Sequence, residues 1–290
     1  MLSKNAVTID LEDWYQGIEQ PYDSWSRFDE RIDIGTDIVL SILDETNTRA
    51  TFFVLGWLAD QRPDLIRRVA DEGHEIASHG YDHEKLYDTT PEALREALGR
   101  AKKVTEDVIG KAVPGHRAPF FSLTRRSLWA IDLIAELGFE YDASIYPGEN
   151  WRYGIPNTPE DLYELGDTGV IEFPASLFPV WNGRRVGIGG AYFRILPYFL
   201  THRAVQERTA AGKITNFYLH PWEFDPWHPL ARFRWKAMLT HYFNLFSTAP
   251  RFRKLMQQNE FRPMGEIIAD VKREQLTIPR LDLREGEMSV

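Results

Sequence analysis

Short apolar runs alternate along this chain with longer segments in which apolar residues recur every three or four positions. The run Ala6-Val7-Thr8-Ile9 reads as a buried strand. "ATFFVLG", 50–56, reads as a second one, rich in aromatic and β-branched residues. A helical pattern lies between them, near 35–44. Pro63 opens another helix, whose Leu65, Ile66 and Val69 share a face and which Gly73 closes. "HEIASHG", 74–80, is a short strand running into a loop, and Thr90-Pro91-Glu92 starts a helix that runs to about Gly110. A strand and loop over 113–121 and a helix over 123–138 follow. The strand candidates 139–147, 169–176 and 214–220 complete the series.

Strands alternating with helices at this spacing imply parallel pairing through helical crossovers. About seven such units fit a distorted (β/α) barrel of parallel strands, with a doubly wound open sheet as the alternative. A barrel places its chemistry at the carboxyl ends of the strands. From about Trp222 the texture turns basic, aromatic and helical. The expected division is therefore a barrel over residues 1–225 and a helical C-terminal extension, 226–290, packed on it. The irregular stretch 147–167, rich in Gly, Pro, Trp and Tyr, reads as a rim loop. "GIGG", 187–190, lacks the spacing and strand–helix context of a dinucleotide loop, so no phosphate cradle is expected there.

Composition narrows the chemistry. A hydrophobic fraction of 43% is ample for a packed core, and a net charge of -9 argues against nucleic acid or anionic membranes as partners. With no cysteine in the chain, any metal must be held by histidines and carboxylates. No signal-peptide pattern and no run of about 18 apolar residues is evident, so a cytoplasmic location without integral membrane contact is the expectation. Oligomeric state cannot be read from the chain. The nine tryptophans serve packing or sugar stacking, and Trp151, Tyr153 and Trp181 are the candidates for a substrate groove.

Three acids crowd the end of the first strand in "TIDLEDW", 8–14. Clustered carboxylates repel one another, so these either face water or hold a cation. Strand alternation puts Asp10 and Glu12 on one face. If the chain curls after Leu11, Asp13 could take the place of Glu12. In "SHGYDH", 78–83, His79 and His83 can aim both imidazoles at one point, and two imidazoles with a carboxylate make a common zinc shell that leaves room for water. His74 is expected to orient a neighbour or cap its strand. Arg117, in "GHRAPFF", sits where it could orient a carboxylate through paired hydrogen bonds. His220, in "FYLHPWEFDP", follows an apolar strand and could donate a proton or stabilise an oxyanion, with Glu223 and Asp225 flanking it. His116, His202, His228 and His241 have no partner pattern and are read as structural or surface residues.

At these residues the chain resembles the polysaccharide deacetylases of carbohydrate esterase family 4, whose fold is a distorted (β/α) barrel. "TIDLED", "HGYDH", "RAPFF", "YDAS" (141–144) and "LHP" stand in the order of that family's motifs through most of residues 5–225. The basic C-terminal extension, "DLEDW" and "HPWEFDP" look most like the members associated with exopolysaccharide production and exosortase systems. The resemblance implies Asp10 as general base, His79 and His83 as metal ligands, Arg117 as tether of the base and His220 as general acid. Asp142 would brace the site through Arg117 or a histidine. Many members carry two adjacent acids in the first motif. Here Leu11 separates Asp10 from Glu12, so Glu12 is favoured as third ligand and Asp13 second. The implied cofactor is one divalent metal, zinc first, with Co2+, Ni2+ or Fe2+ also compatible with such a shell. The implied reaction is hydrolysis of N-acetyl groups on an N-acetylated polysaccharide or oligosaccharide. Allantoinase-like hydrolysis of a small amide on the same fold, or a glycan-binding barrel without turnover, are the competing readings.

Overall fold

The computed structural model describes residues 3–18, 20–150, 152–180, 183–231 and 235–284. Trp151 and Trp181, proposed above for the groove, lie outside the described residues. The strands are β1 (Asn5–Leu11), β2 (Thr51–Val54), β3 (Glu75–Ser78), β4 (Gly115–His116), β5 (Tyr141–Asp142), β6 (Tyr163–Leu165), β7 (Ile171–Glu172), β8 (Leu177–Pro179), β9 (Arg185–Gly187), β10 (Thr215–Leu219) and β11 (Arg280–Leu281). The helices are α1 (Trp14–Gly17), α2 (Ile32–Glu45), α3 (Gly56–Gln61), α4 (Pro63–Asp71), α5 (Pro91–Ile109), α6 (Ala130–Glu136), α7 (Gly190–Ile195), α8 (Tyr198–Ala210), α9 (Trp235–Tyr242), α10 (Thr248–Gln258) and α11 (Met264–Arg273).

Nine strands form one sheet in the order β10-β1-β2-β3-β4-β5-β7-β6-β11, curled into a half-barrel with flanking helices. Pairing is parallel throughout except between β6 and β7. The alternating strand–helix pattern anticipated this architecture, and β6, antiparallel to β7, and β11 are the additions to the sheet. Strand β6 lies inside the expected rim loop and is three residues long, too short for a periodic signal. The helix expected over 123–138 begins only at Ala130. Upstream, the Ser127 hydroxyl donates to the Ser122 carbonyl at 2.7 Å and accepts from the Thr124 amide at 2.9 Å, so local side-chain bonds hold that backbone in turns. In the "GIGG" stretch, Gly189 has φ 140°, and a Cβ there would overlap the Tyr218 backbone. These glycines admit a close backbone approach.

Side-chain alternation sorts the central strands into two faces. In β1, Val7, Ile9 and Leu11 pack into the main core with Val39, Leu43, Phe52 and Val54. Thr8 and Asp10 point the other way, to the concave face, and Phe53, Asn216 and Tyr218 join them from β2 and β10. The chain beyond residue 226 adds Leu245, Phe252, Leu255 and Met256 to the same main core. Its α11 closes the amino ends of the strands. The Gly265 amide donates to Glu75 at 2.9 Å and the Met264 amide donates to Thr51 at 2.8 Å, while the Tyr141 hydroxyl donates to the other Glu75 oxygen at 2.9 Å. Among the described residues no helix is long and apolar enough to cross a membrane.

One close approach links this frame to the site. Gly35, inside α2, packs so tightly beneath the turn after β10 that a Cβ would overlap the Pro221 carbonyl. Gly99, inside α5, would meet Leu137 at an ordinary 3.5 Å. Replacing an interior helical glycine by alanine ordinarily stabilises by about 0.5–1 kcal/mol. Gly99→Ala is expected to follow that rule. Gly35→Ala is expected to reverse it and destabilise by about 1–3 kcal/mol through overpacking. Paired urea denaturation curves of the two variants check the reversal.

Candidate functional site

The residues that matter sit at the carboxyl ends of neighbouring strands, so sheet order alone brings them together. Asp10 is on β1 and Glu12 one residue beyond it. His79 follows β3, Arg117 follows β4, and His220 follows β10. All five are at most about one-fifth exposed, and Arg117 is fully buried.

Glu12, His79 and His83 each offer one ligand atom to a common point, with all three atoms within 4.8 Å of one another. The Nδ1–H of His79 donates to the Arg117 carbonyl at 2.8 Å, which leaves Nε2 with its lone pair facing the cluster. Burial, reinforced by His83 and opposed by Asp10, pushes the His79 pKa down to about 4, so the ring is neutral near pH 7. His83 is held in a left-handed conformation, φ 62°, and its ring lies 4.6 Å from that of Phe120, itself at φ 57°. Non-glycine residues rarely adopt this conformation, and two in contact mark a loop shaped for its site. Burial alone would raise the Glu12 pKa, but the imidazoles of His83, His220 and His79 outweigh it and hold it at about 2.

The donor set fits a divalent metal. Glu12 Oε2 lies 2.6 Å from His83 Nε2, yet it is buried and accepts no hydrogen bond. A buried carboxylate oxygen beside two imidazoles is the kind of acceptor that a cation shared among the three groups would satisfy. Two imidazoles and one carboxylate are the ligand types of a zinc-like site with open positions. The other Glu12 oxygen accepts from the Trp222 indole N–H at 3.2 Å. Trp222 in turn stacks on His220, with ring centroids 5.2 Å apart.

Asp10 stands beside this cluster and outside it. Arg117 donates to its Oδ1 at 2.6 Å, leaving Oδ2 at 4.0 Å from His79 Nε2 and 3.9 Å from His220 Nε2. The expected paired hydrogen bonds are replaced by a single one. The same guanidinium also donates to Thr8 Oγ1 at 2.9 Å, to Asn216 Oδ1 at 3.0 Å and to the Ala143 carbonyl at 3.3 Å. His220 is fixed from behind, its Nδ1–H donating to Glu223 at 2.8 Å. Burial by itself would lower the His220 pKa, but Glu223, Glu12 and Asp10 overcome it and raise it to about 9. The imidazole therefore carries a proton at neutral pH.

One expectation needs correction. Asp13 is not brought to the cluster, because it caps the amino end of α1. Its Oδ1 accepts from the Trp14 amide and its Oδ2 from the Arg31 amide, each at 2.7 Å. Of the two partners expected for Asp142, Arg117 or a histidine, the structure shows a histidine, His116. Asp142 accepts from His116 Nδ1 at 2.6 Å and from the Ser144 hydroxyl at 2.8 Å, behind the site. His116 thus has a partner that its sequence context did not reveal. His228 and His241 pack around Trp222, with His241 stacked on its ring at 4.0 Å. Tyr153 packs against Phe121 and Tyr146. Sequence reasoning passed over Thr8, Asn216, Trp222 and Arg194. The period-2 pattern could have flagged Thr8 and Asn216 as polar residues on an inward face.

Against known proteins, residues 23–141 match the sequence model of the family described as "Polysaccharide deacetylase". Residues 143–269 match a domain of unknown function, DUF3473. The segment 23–141 is thus similar to the polysaccharide deacetylase family, carbohydrate esterase family 4. It is 34% identical over 101 residues to the chitooligosaccharide deacetylase of Bradyrhizobium sp., covering 34% of this chain and 43% of that protein. It is 29% identical over 115 residues to the peptidoglycan-N-acetylglucosamine deacetylase PgdA of Listeria monocytogenes, covering 40% of this chain and 23% of that protein. The matched region thus spans less than half of either relative. A Mycobacterium smegmatis crystal structure assigned to the polysaccharide deacetylases shares the fold with TM-score 0.65 at 24% identity, covering 96% of this chain and 94% of that one.

His74 lies at the opposite end of the sheet, where its Nδ1 accepts from the Ala50 amide at 3.3 Å. Burial, then the charge of Arg49, pushes its pKa down to about 4. An unfolded histidine titrates near 6.5, so between there and pH 4 the unfolded chain takes up a proton that the folded protein rejects. The contribution of His74 is therefore present above about pH 6.5 and lost as pH falls, by up to about 3 kcal/mol. His74→Gln is expected to flatten the acid side of the stability profile, as measured by denaturant unfolding from about pH 7 to about pH 4.

Proposed function

We propose that this protein removes N-acetyl groups from amino-sugar residues of a polysaccharide or its precursor by metal-dependent amide hydrolysis. The observation that carries this reading is the separation of duties between two buried carboxylates. Glu12 converges with two imidazoles on one point, while Asp10, held by Arg117, keeps an oxygen free 4.0 Å from His79. The family match over 23–141 supports the reaction class. The names of the relatives, acting on chitooligosaccharides and on peptidoglycan, support an N-acetylated glycan as substrate.

His79, His83 and Glu12 would hold the ion, zinc being the best match to two histidines and a carboxylate without cysteine. When bound, such an ion polarises the acetamide carbonyl and lowers the pKa of a water molecule. Asp10 Oδ2 accepts the proton of the attacking water. His220, protonated at neutral pH and with Nε2 facing Asp10, donates a proton to the sugar nitrogen as the C–N bond breaks. A new C–O bond forms, acetate leaves, and the free amine remains on the glycan. Arg117 holds Asp10 in place throughout, and Trp222 keeps Glu12 and His220 in register.

Zinc content and acetate release from N-acetylglucosamine oligomers test the assignment together. Asp10→Asn is expected to retain metal and lose activity by about 100-fold or more. Glu12→Gln is expected to lose the metal. Loss of metal in Asp10→Asn would make Asp10 a ligand instead of the base. Full metal loading without acetate release from any N-acetylated glycan would turn the reading toward a small amide or a binding role.

A further inference from the structure

We infer that Arg194 and Glu223 form a buried positioning unit for His220, and that the backbone of residues 240–243 reaches the active site through it. The inference rests on the proposed hydrolysis and names what the region of unknown function contributes to it. Glu223 Oε1 accepts from both the backbone amide of His220, at 3.1 Å, and its ring Nδ1, at 2.8 Å. Glu223 Oε2 accepts from Arg194 Nε at 2.6 Å, and both side chains are fully buried. The rest of the guanidinium engages the C-terminal segment. Arg194 donates to the carbonyls of His241 at 3.1 Å, Phe243 at 2.5 Å and Thr240 at 2.9 Å. Asn244 Nδ2 donates back to the Arg194 carbonyl at 3.0 Å, so the two segments grip each other. Every residue of this relay lies within 143–269 and none within 23–141.

A buried ion pair is not an efficient source of stability, since apolar residues of like volume often serve as well. Here it does something an apolar pair could not. It occupies Nδ1 and fixes the ring so that Nε2 faces Asp10 at 3.9 Å and Glu12 at 3.7 Å. A flipped ring would forfeit the Nδ1–H bond to Glu223. Arg194 and Glu223 touch none of the reacting atoms. They act through His220 and are positioning residues.

The test compares two leaving groups. A sugar amine must be protonated to depart, whereas p-nitrophenolate leaves p-nitrophenyl acetate without a proton. Glu223→Gln keeps the volume of the site, and Arg194→Lys keeps the charge while losing the fork. In the zinc-loaded enzyme both variants are expected to lose kcat on N-acetylglucosamine oligomers by about 10–100-fold. KM, zinc content and p-nitrophenyl acetate hydrolysis should stay near wild type. Equal losses on both substrates, or no loss on the amide, would overturn the inference. A second readout needs no turnover. In nitrogen-15 spectra the His220 Nδ1 proton should be protected from exchange in the wild type and unprotected in Glu223→Gln. Unchanged protection overturns the unit by itself. A wild-type enzyme that shows the protected proton yet releases no acetate would instead count against the proposed reaction.

Discussion

A guanidinium sealed inside a protein is among the least favourable groups to bury, and Arg117 is fully buried. Its charge is met by one carboxylate, Asp10, and its remaining donors by Thr8, Asn216 and the Ala143 carbonyl, while the Phe53 ring lies 4.1 Å from its centre. These partners come from β1, β2, β10 and the turn after β5. The cation therefore specifies how four parts of the sheet meet. Slipping β1 by one residue would present Ile9 and Leu11 to the guanidinium and send Thr8 and Asp10 into the main core, so the error would be destabilising on both faces. Fold register and the placement of Asp10 are one constraint.

The same logic sets the acid–base character of the cleft. His79 and His220 are both largely buried, and burial alone would strip the proton from each. His79 donates its Nδ1–H to a neutral carbonyl and faces a second imidazole, and its pKa sits at about 4. His220 donates its Nδ1–H to a carboxylate and faces two more, and its pKa sits at about 9. Two rings that flank the same Asp10 oxygen are thus driven in opposite directions, one toward a lone pair and one toward a proton. Such separation among neighbouring titratable groups is what assigns distinct roles in a hydrolytic site.

The strand–helix rhythm made the parallel sheet legible, and strand alternation made Asp10 and Glu12 legible as a pair on one face. His79 and His83 were visible from spacing and context. Asp13 was misleading because capping a four-residue helix and binding a metal call for the same residue type, and only the later course of the chain decides between them. Which partner Asp142 takes was not legible for a related reason. Its partner His116 lies across a two-residue strand pair, and strands that short leave no periodic trace. Arg194 was invisible because "GAYFRILP" reads as an ordinary helical turn. Nothing in it announces that the guanidinium turns inward to reach 29 residues forward to Glu223 and 49 to the Phe243 carbonyl.

The two matched regions divide the chain, but they do not divide the site. Asp10 and Glu12 precede residue 23, where the deacetylase match begins. His79, His83 and Arg117 lie within it, and Asn216, His220, Trp222 and Glu223 lie beyond it. The bond from Arg117 to Asp10 spans 107 residues and that from Trp222 to Glu12 spans 210. No contiguous stretch can assemble this cleft, because its two walls are joined only when β10 pairs with β1 and β1 with β2. Contacts of such sequence separation offset their loop-closure entropy late in folding. The geometry of the cleft is therefore a property of the completed sheet, and the region matched to the domain of unknown function carries part of the structural cost of holding His220 in place.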